Sequence, residues 1–316
     1  MIIRNKSIVG IEMDSKEIRA VELCGTQEKP TVINWGKIEL PDGIVKEGRV
    51  SDKQLFPVYL NKLFRENGFK SKDVILGVNN QDIIVRFAMF PNVPRDKIKN
   101  MIKFQAKEYI PVPLEEIELD YVVLEEKNSE SEDHINVVLV GARKKMLNDF
   151  IEVFTNARLT IRDIDSTMLA LGRSALIESD DGTFVLAGFN NDIGNILVFS
   201  NGILSVARSV TIPYSNESTK QKMEKVAEVL IAEIKSSVGY HKMQKNENID
   251  KVFVMGNCEE QEIVADIIKE TTGFTVMTPT PYISLNYKAH KGESETLHVP
   301  DYYASISLAI RGLGEE

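Results

Sequence analysis

The residues best suited to a chemical role lie in a turn near the start of the chain, Glu12-Met13-Asp14-Ser15-Lys16. The turn separates two stretches, 8–13 and 18–23, whose alternating apolar residues predict β-strands. A turn that binds phosphate needs glycine for close backbone approach, free N–H groups and usually an aspartate that acts through Mg²⁺. This turn offers carboxylates, a hydroxyl and an ammonium group but no glycine. An ordinary hairpin turn, in which Asp and Ser are common, is therefore the favoured interpretation.

The bulk composition is that of a globular protein with two or more domains. The chain has 316 residues, of which 43% are hydrophobic and 27% charged. Its net charge is -9, from 38 basic and 47 acidic residues, and it has no basic run. This argues against nucleic acid or an anionic membrane surface as a main partner. No apolar run approaches the roughly 18 residues that span a bilayer, so we expect a cytosolic protein.

Motifs for catalysis or metal binding are absent from the sequence. It contains no Gly-x-Ser-x-Gly, no Walker-type glycine-rich loop and no Cys–His signature. Cys24 and Cys258 lack metal-type spacing, and the four histidines are scattered. We therefore predict no catalytic residue and no bound metal.

The pattern of strands indicates an internal duplication. A strand–turn–strand–turn–strand unit at residues 2–40 returns at 184–210, where Asn201-Gly202 is a strong hairpin signal. The first unit leads to a helix predicted from Ser51 to Glu66, and the second leads to a long helix predicted over 220–243. Two related halves that face each other across a cleft are expected.

An additional α+β unit interrupts the first half. A strand at 83–90 precedes a helix that begins at Pro94 and stops before Pro111 and Pro113. Strands at 117–125 and 134–143 and a further helix follow. This order predicts a small sheet with helices on one face.

Several segments resemble the PilM family of type IV pilus assembly proteins, which are actin-like ATPases related to the cell-division protein FtsA. Lys107-Glu-Tyr-Ile-Pro-Val-Pro-Leu-Glu-Glu-Ile-Glu-Leu-Asp-Tyr121 is the most specific of them. The others are 9–23, 138–144, 159–165 with Ala170-Leu171, and 305–312.

The resemblance implies an α/β chain with the actin-like, ribonuclease H-like duplicated fold, an inserted α+β subdomain and a reduced fourth subdomain. The implied division is as follows: residues 1–79 begin subdomain 1A, 80–158 form the inserted subdomain 1C, 159–182 and 303–316 return to 1A, and 183–302 form the second half, with a reduced subdomain 2B around 213–247.

The same resemblance implies a nucleotide cleft whose motifs are degraded. Relatives read Asp-Ile-Gly-Ser-Ser where this chain has residues 12–16, so glycine is replaced by Asp14. In the second phosphate turn Gly188 stands at the aspartate position and Asn190 at the glycine position. The remaining matched positions are Asn191 and Asp192, Gly256 and Asn257 of the adenosine motif, and Glu233 and Ser236 on the adjoining helix. No cofactor and no hydrolysis are expected; ATP with Mg²⁺ is the alternative.

For function, the resemblance implies a cytosolic scaffold at the inner face of the cell membrane. It would bind the cytoplasmic N-terminal tail of a PilN-like inner-membrane protein and link it to the assembly ATPase. Candidates for a wall of the tail-binding groove are Ala106, Tyr109, Ile110, Pro111, Leu119 and Tyr121, each of which also fits a plain core. The alternatives are an actin-like protein that cycles with ATP and an FtsA-like anchor. The anchor would need a basic amphipathic C-terminal helix, whereas residues 311–316 are acidic.

Overall fold

The computed structural model describes residues 7–124, 133–177, 179, 182–213, 218–256, 258–282, 285–287 and 297–314. Strands β1 to β16 are, in chain order, Ser7–Met13, Glu17–Gly25, Pro30–Glu39, Val45–Lys46, Arg49–Val50, Asp73–Val78, Ile83–Pro91, Ile117–Leu124, His134–Arg143, Thr160–Ser166, Phe184–Phe189, Ile193–Ser200, Ile203–Thr211, Lys251–Met255, Thr275–Met277 and Asn286–Tyr287. Helices α1 to α7 are Phe56–Glu66, Arg95–Gln105, Lys144–Asn156, Thr167–Leu176, Thr219–Lys245, Cys258–Thr272 and Tyr303–Gly312.

The first half is built on a six-stranded sheet in the order β10-β6-β1-β2-β3-β16. Strands β1, β2 and β3 form an antiparallel meander, whereas β6 pairs parallel with β1 and β10 pairs parallel with β6. All residues of β1 except the first are buried. This is the pattern of a strand in a sheet whose two faces are both covered by helices.

The second half repeats this topology. Its sheet has the order β13-β12-β11-β14-β15, with an antiparallel meander followed by two parallel strands. The strand that opens each half therefore lies at the centre of its sheet. The duplication predicted from the two meanders is confirmed by this matching order.

Helices α4 and α7 form a layer between the two sheets. Every residue of α7 from Tyr303 to Ala309 is buried, and the helix packs on β1 and on α4. Helices α1 and α3 cover the outer face of the first sheet, and α5 and α6 cover the outer face of the second. The molecule thus has five layers, and the two halves share the central pair of helices.

The inserted segment forms its own three-stranded antiparallel sheet in the order β7-β9-β8. Helix α2 packs on one face of this sheet through Ile98 and Ile102. Helix α3 differs from the expectation for residues 80–158, because its buried residues Phe150 and Phe154 join the core of the first sheet. Its strongly apolar face matches that larger core better than the small sheet.

The start of α1 also differs from the prediction. The helix begins at Phe56 rather than near Ser51. The carboxylate of Asp52 accepts the N–H groups of Gln54 and Leu55, at 2.9 Å each, and so holds the chain in a turn before the helix. Asp and Ser have similar preferences for positions just before a helix, so the local sequence does not show which of Ser51 and Asp52 precedes the first turn of α1.

Gly10 on β1 is required by the close approach of α7. A β-carbon at this position would lie 2.7 Å from the backbone nitrogen of Ala309. We expect Gly10→Ala to lower the free energy of unfolding by about 1–3 kcal/mol through overpacking. Gly239→Ala, on the exposed side of α5 with no atom within 4 Å of the new carbon, should raise it by about 0.5–1 kcal/mol.

Urea denaturation followed by circular dichroism measures both changes. Equal stability of Gly10→Ala and the unsubstituted protein would contradict the close packing of α7 on β1.

Candidate functional site

The two turns that open the halves meet in the structure. The first, residues 14–16, joins β1 to β2, and the second, residues 190–192, joins β11 to β12. The backbone N–H of Ser15 donates to Asp192 Oδ2 at 2.7 Å, and Asn191 Nδ2 donates to Asp14 Oδ2 at 3.1 Å. Two hydrogen bonds therefore link the halves directly across the cleft.

The N–H groups of the first turn all donate within the chain itself: that of Asp14 donates to the carbonyl of Glu17 at 3.0 Å, and the others donate to carboxylates. Asp14 Oδ1 accepts the N–H groups of Lys16 at 2.8 Å and of Glu17 at 3.1 Å, while Asp192 accepts that of Ser15. The ammonium group of Lys16 pairs with Asp42 at 2.7 Å. The donors through which such a turn binds an external anion are thus occupied.

The second turn is closed in a similar way by an asparagine. Asn190 Oδ1 accepts the N–H groups of Asp192 at 2.9 Å and of Ile193 at 2.8 Å. Lys222 Nζ of α5 donates to Asn191 Oδ1 at 2.8 Å, which orients the asparagine amide toward Asp14. The polar atoms of this turn are engaged by the second half and by Asp14.

Arg19 is the charge around which the first turn is organised. It stands opposite Glu12 in the β1–β2 register and is buried. Its guanidinium group lies 2.6 Å from Glu17, 3.0 Å from Asp14 and 3.8 Å from Glu12. One buried cation is therefore shared by three buried carboxylates.

Burial in this cluster alters the protonation of its members. Burial raises the pKa of Glu12 to about 7, although the nearby Arg19 opposes the shift. Burial alone would lower the pKa of Arg19, but Asp14, Glu12 and Glu17 outweigh it and raise the pKa above its ordinary value. Burial also raises the pKa of Asp192, against the hydrogen bond from Ser15.

Gly256, which follows β14, packs against the aromatic ring of Phe189. A β-carbon on Gly256 would lie 2.5 Å from Cζ of Phe189, and the N–H of Gly256 donates to the buried Gln261 at 3.1 Å. The cavity beside Glu12, Phe189 and Gly256 has a volume of only about 30 Å³. Ligand pockets typically measure about 300–1,000 Å³, so this cleft has room for water rather than for a nucleotide in the conformation described.

The remaining residues predicted for the nucleotide cleft do not line this cavity or lie outside the described residues. Gly188 lies in β11, where a β-carbon would lie 3.0 Å from Leu171 of α4, so its small size serves helix packing. Glu233 and Ser236 do not line the cavity. Instead, Nη1 of Arg208 lies 3.9 Å from Oε2 of Glu233 and donates to Oγ of Ser236 at 2.9 Å. Asn257 lies outside the described residues. The nucleotide roles inferred for these residues stay predictions.

A much larger groove of about 820 Å³ separates the first sheet from the inserted sheet. One wall is the whole of β10, the edge strand of the first sheet. The opposite wall comes from β8 and β9, and α3 closes one side. In the part of the chain that the structure describes, neither β10 nor β8 has a further strand beyond it, so two strand edges border the groove.

The groove combines exposed apolar side chains with charges that are already paired. Val122 of β8 is 56% exposed and Ile151 of α3 is 47% exposed, and both line it. Asp165 at its base binds Arg173 at 2.5 Å and Arg311 at 2.9 Å. The surface available to a ligand is therefore mainly apolar side chains and backbone.

The residues predicted for a groove wall are spread over different surroundings. Leu119 lines the large groove, whereas Tyr121 lines a smaller one beside α2. Ala106 and Ile110 are buried in the core of the inserted unit. The hydroxyl of Tyr109 donates to the carbonyl of Met89 at 3.2 Å, and Pro111 is exposed. Their contact with a partner stays a prediction.

Sequence reasoning missed Arg19, Phe189 and most of the large groove. The register of the first hairpin was the available signal for Arg19, because a short turn at 14–16 places residue 19 opposite Glu12. Val122 and Ile151 come from two elements that only the tertiary fold brings together. Val122 lies on the strand of the predicted wall residues Leu119 and Tyr121, whereas no local pattern identified Ile151.

Two negative findings apply to the described residues. No group of three or more His, Cys, Asp or Glu side chains there is arranged to hold a metal ion. No helix in the same part of the chain is both long enough and apolar enough to cross a membrane.

The topology, the duplicated sheets and the cleft define an actin-like ATPase fold. Two solved structures share it. A PilM–PilN type IV pilus biogenesis complex contains a chain that matches with a TM-score of 0.83 and 19% identity, over 98% of this chain and 100% of that one. The ethanolamine utilization protein EutJ from Carboxydothermus hydrogenoformans matches with a TM-score of 0.50 and 14% identity, over 96% and 89%.

The family is given by the sequence itself. The model of the family described as type IV pilus assembly protein PilM matches residues 10–184, more than half of the chain. The chain belongs to the PilM family of type IV pilus assembly proteins.

Protonation of Glu12 makes the stability of the protein depend on pH. Between its ordinary pKa of 4.5 and the raised value of about 7, the folded chain holds a proton that the unfolded chain releases. Stability from this group is therefore present below pH 4.5 and is lost as the pH rises through about 7. Relative to Glu12→Gln, the unsubstituted protein should lose on the order of 3 kcal/mol across this range.

Urea denaturation at pH 5, 6, 7 and 8 tests this expectation. Glu262→Gln, which removes an exposed carboxylate on α6, is the control and should leave the pH dependence unchanged. If the free energy of unfolding changes with pH in the same way for Glu12→Gln and the unsubstituted protein, Glu12 does not hold a proton in the folded chain.

Proposed function

We propose that this protein is a scaffold of type IV pilus assembly that binds the cytoplasmic N-terminal tail of a PilN-like inner-membrane protein. The tail lies in the large groove between the first sheet and the inserted sheet. The main support for this proposal is the groove itself, which has a volume of about 820 Å³ and a strand edge on each side. A similar solved structure is described as a PilM–PilN complex, which supports the choice of partner.

Main-chain pairing provides affinity in this mode of binding. Strand edges expose unpaired N–H and C=O groups, and an extended peptide satisfies them by adding a strand. All seven residues of β10 line the groove, so the strand borders the groove along its full length. The tail therefore adds to β10 as a further strand of the first sheet.

Apolar side chains provide specificity. Val122, Ile151 and Leu169 line the groove, and an apolar side chain of the tail that covers one of them removes both surfaces from water. The arginines of the groove already pair with aspartates, Arg162 with Asp73 and Arg311 with Asp165. A tail with bulky apolar residues at alternate positions fits this surface better than a strongly charged one.

The nucleotide cleft has no part in this function. Its turn donors bind Asp14 and Asp192, Arg19 is neutralised by three carboxylates, and the remaining cavity is about 30 Å³. A phosphate group at the first turn would also face Asp14, and two like charges 4 Å apart repel by about 4 kcal/mol at an effective dielectric constant of 20. The protein therefore works without binding or hydrolysing ATP.

The bound tail holds the protein at the inner face of the cell membrane. From that position it links the membrane protein to the assembly ATPase. The actin-like fold serves here as a rigid support, because its two halves are joined through α4, α7 and the cross-cleft hydrogen bonds.

Substitution in the groove should weaken tail binding selectively. Val122→Asp places a charge on the apolar wall and should weaken binding of the tail peptide about tenfold or more, since covering one such side chain contributes about 1.5–3 kcal/mol. Fluorescence polarisation with a labelled peptide, which copies the N-terminus of the PilN-like protein of the same organism, measures the change.

Val58→Asp is the matched control. Val58 lies on α1, outside the groove, and is 58% exposed, close to the 56% of Val122. Binding by Val58→Asp should equal that of the unsubstituted protein. If both variants bind equally well, or if the unsubstituted protein does not bind the peptide, the proposed function is wrong.

Calorimetry distinguishes the scaffold from an ATP-cycling protein. Titration of ATP with Mg²⁺ should produce no binding heat up to about millimolar nucleotide, because the donors of the cleft are occupied. The tail peptide, titrated into the same sample, is the positive control. A dissociation constant in the micromolar range for ATP would favour the cycling protein instead.

A further inference from the structure

A row of cations runs along α2 on the inserted unit. Arg95, Lys99 and Lys103 follow one another at intervals of four residues, and Lys107 continues the row in the next turn of the chain. All four are exposed. Like charges four residues apart in a helix destabilise it by about 0.2–0.5 kcal/mol per pair. Among the described residues, Arg95, Lys99 and Lys103 have no ion pair that offsets this repulsion.

The row of cations borders a second, smaller groove, which shares Leu119 and Asp120 with the large one. Lys99, Ile102 and Lys103 form one wall and Leu119, Asp120 and Tyr121 of β8 form the other, around a volume of about 430 Å³. Asp120 is the single acid of the lining, and its Oδ1 accepts the N–H of Tyr121 at 2.8 Å. Two lysines against one carboxylate leave this groove with a net positive charge in a chain of net charge -9.

The free edge of β8 lies at the same place. Strand β8 pairs with β9 on one side and, in the part of the chain described, with no strand on the other. Leu119 and Tyr121 are half-buried beside α2, so they present partial apolar surface next to the edge. Backbone donors and acceptors, apolar surface and unpaired cations thus coincide along one strand.

We propose that this groove binds an acidic peptide in extended conformation, as a strand added to the free edge of β8. Carboxylates on one face of the added strand pair with Lys99 and Lys103, while its backbone pairs with β8. This groove shares Leu119 and Asp120 with the one proposed for the membrane protein's tail, but that tail adds to β10, and Lys99 and Lys103 line only the smaller groove. A single molecule therefore binds two extended segments, one at each strand edge.

An acidic peptide fits these features better than an anionic lipid surface does. A lipid surface requires a broad convex face with several apolar side chains beside the cations. Phe104, at 73% exposure, is the large apolar side chain that α2 exposes, and Lys107 lies 5.1 Å from its ring centre. The cations Lys99 and Lys103 line a concave groove next to a strand edge, which is the geometry for strand addition.

A defined peptide tests the proposal. The eight residues of β8 span about 26 Å, so a nine-residue peptide with alternating glutamate and valine covers the strand. Fluorescence polarisation with the labelled peptide at low salt should give saturable binding to the full chain. Lys99→Glu with Lys103→Glu should weaken this binding at least tenfold.

The matched control reverses the charge of two lysines that lie outside this groove. Lys62 on α1 and Lys269 on α6 are exposed, and Lys62→Glu with Lys269→Glu changes the net charge by the same amount. This variant should bind within twofold of the unsubstituted protein. Circular dichroism melting of both double variants verifies that they fold.

Two further probes separate the alternatives. A peptide with proline in place of valine cannot pair its backbone and should lose binding, which distinguishes strand addition from simple charge attraction. Vesicles of phosphatidylglycerol and phosphatidylcholine should not bind the protein. Equal loss of binding in both double variants, retained binding of the proline peptide, or binding to vesicles without binding to the peptide would each overturn the proposal. Because Lys99 and Lys103 do not line the large groove, the effect of reversing their charges is distinguishable from a loss of tail binding there.

Discussion

The buried guanidinium group of Arg19 is the interaction on which the centre of this protein depends. Glu12, Asp14 and Glu17 surround it, and the proton on Glu12 reduces the excess of negative charge that remains. Removal of one partner from a buried ion pair typically costs about 3–5 kcal/mol, because an uncompensated charge stays in the interior. With Asp14 held in this way, the first turn presents the carboxylate of Asp14 and the N–H of Ser15 to the second half of the chain.

That arrangement determines how the two halves are joined. The carboxylate of Asp14 accepts a hydrogen bond from the side-chain amide of Asn191, and that of Asp192 accepts one from the N–H of Ser15. Each turn therefore binds the other, at the place where the resemblance predicts phosphate binding. The central helices α4 and α7 fill the rest of the space between the sheets. The closed cleft leaves the inserted sheet and the outer strand edges as the accessible binding surfaces. In the proposed function, this fold serves as a rigid support for extended peptides.

Much of the fold could be predicted from the sequence, because periodicity and turn chemistry are local. The two meanders, the long helix α5 and the strands of the insertion follow from alternation and from residues such as Asn201-Gly202 and Pro94. Helix α3 was assigned to the insertion from its place in the chain, yet its apolar face packs on the core of the first sheet. The start of α1 was misplaced because Ser51 and Asp52 are equally good local signals, and hydrogen bonding decides between them.

The sequence by itself determined that the chain is duplicated and which family it resembles, and it predicts that the phosphate-binding glycines of that family are replaced. Each of these depends on the identity of neighbouring residues along the chain. Only the tertiary structure decided which groups contact the two turns and Gly256: Arg19, Asp192 and the ring of Phe189. It alone also decided that Val122 and Ile151 border one groove and that Lys99 and Lys103 border another. These contacts join residues distant in sequence, and their geometry depends on how whole sheets and helices pack.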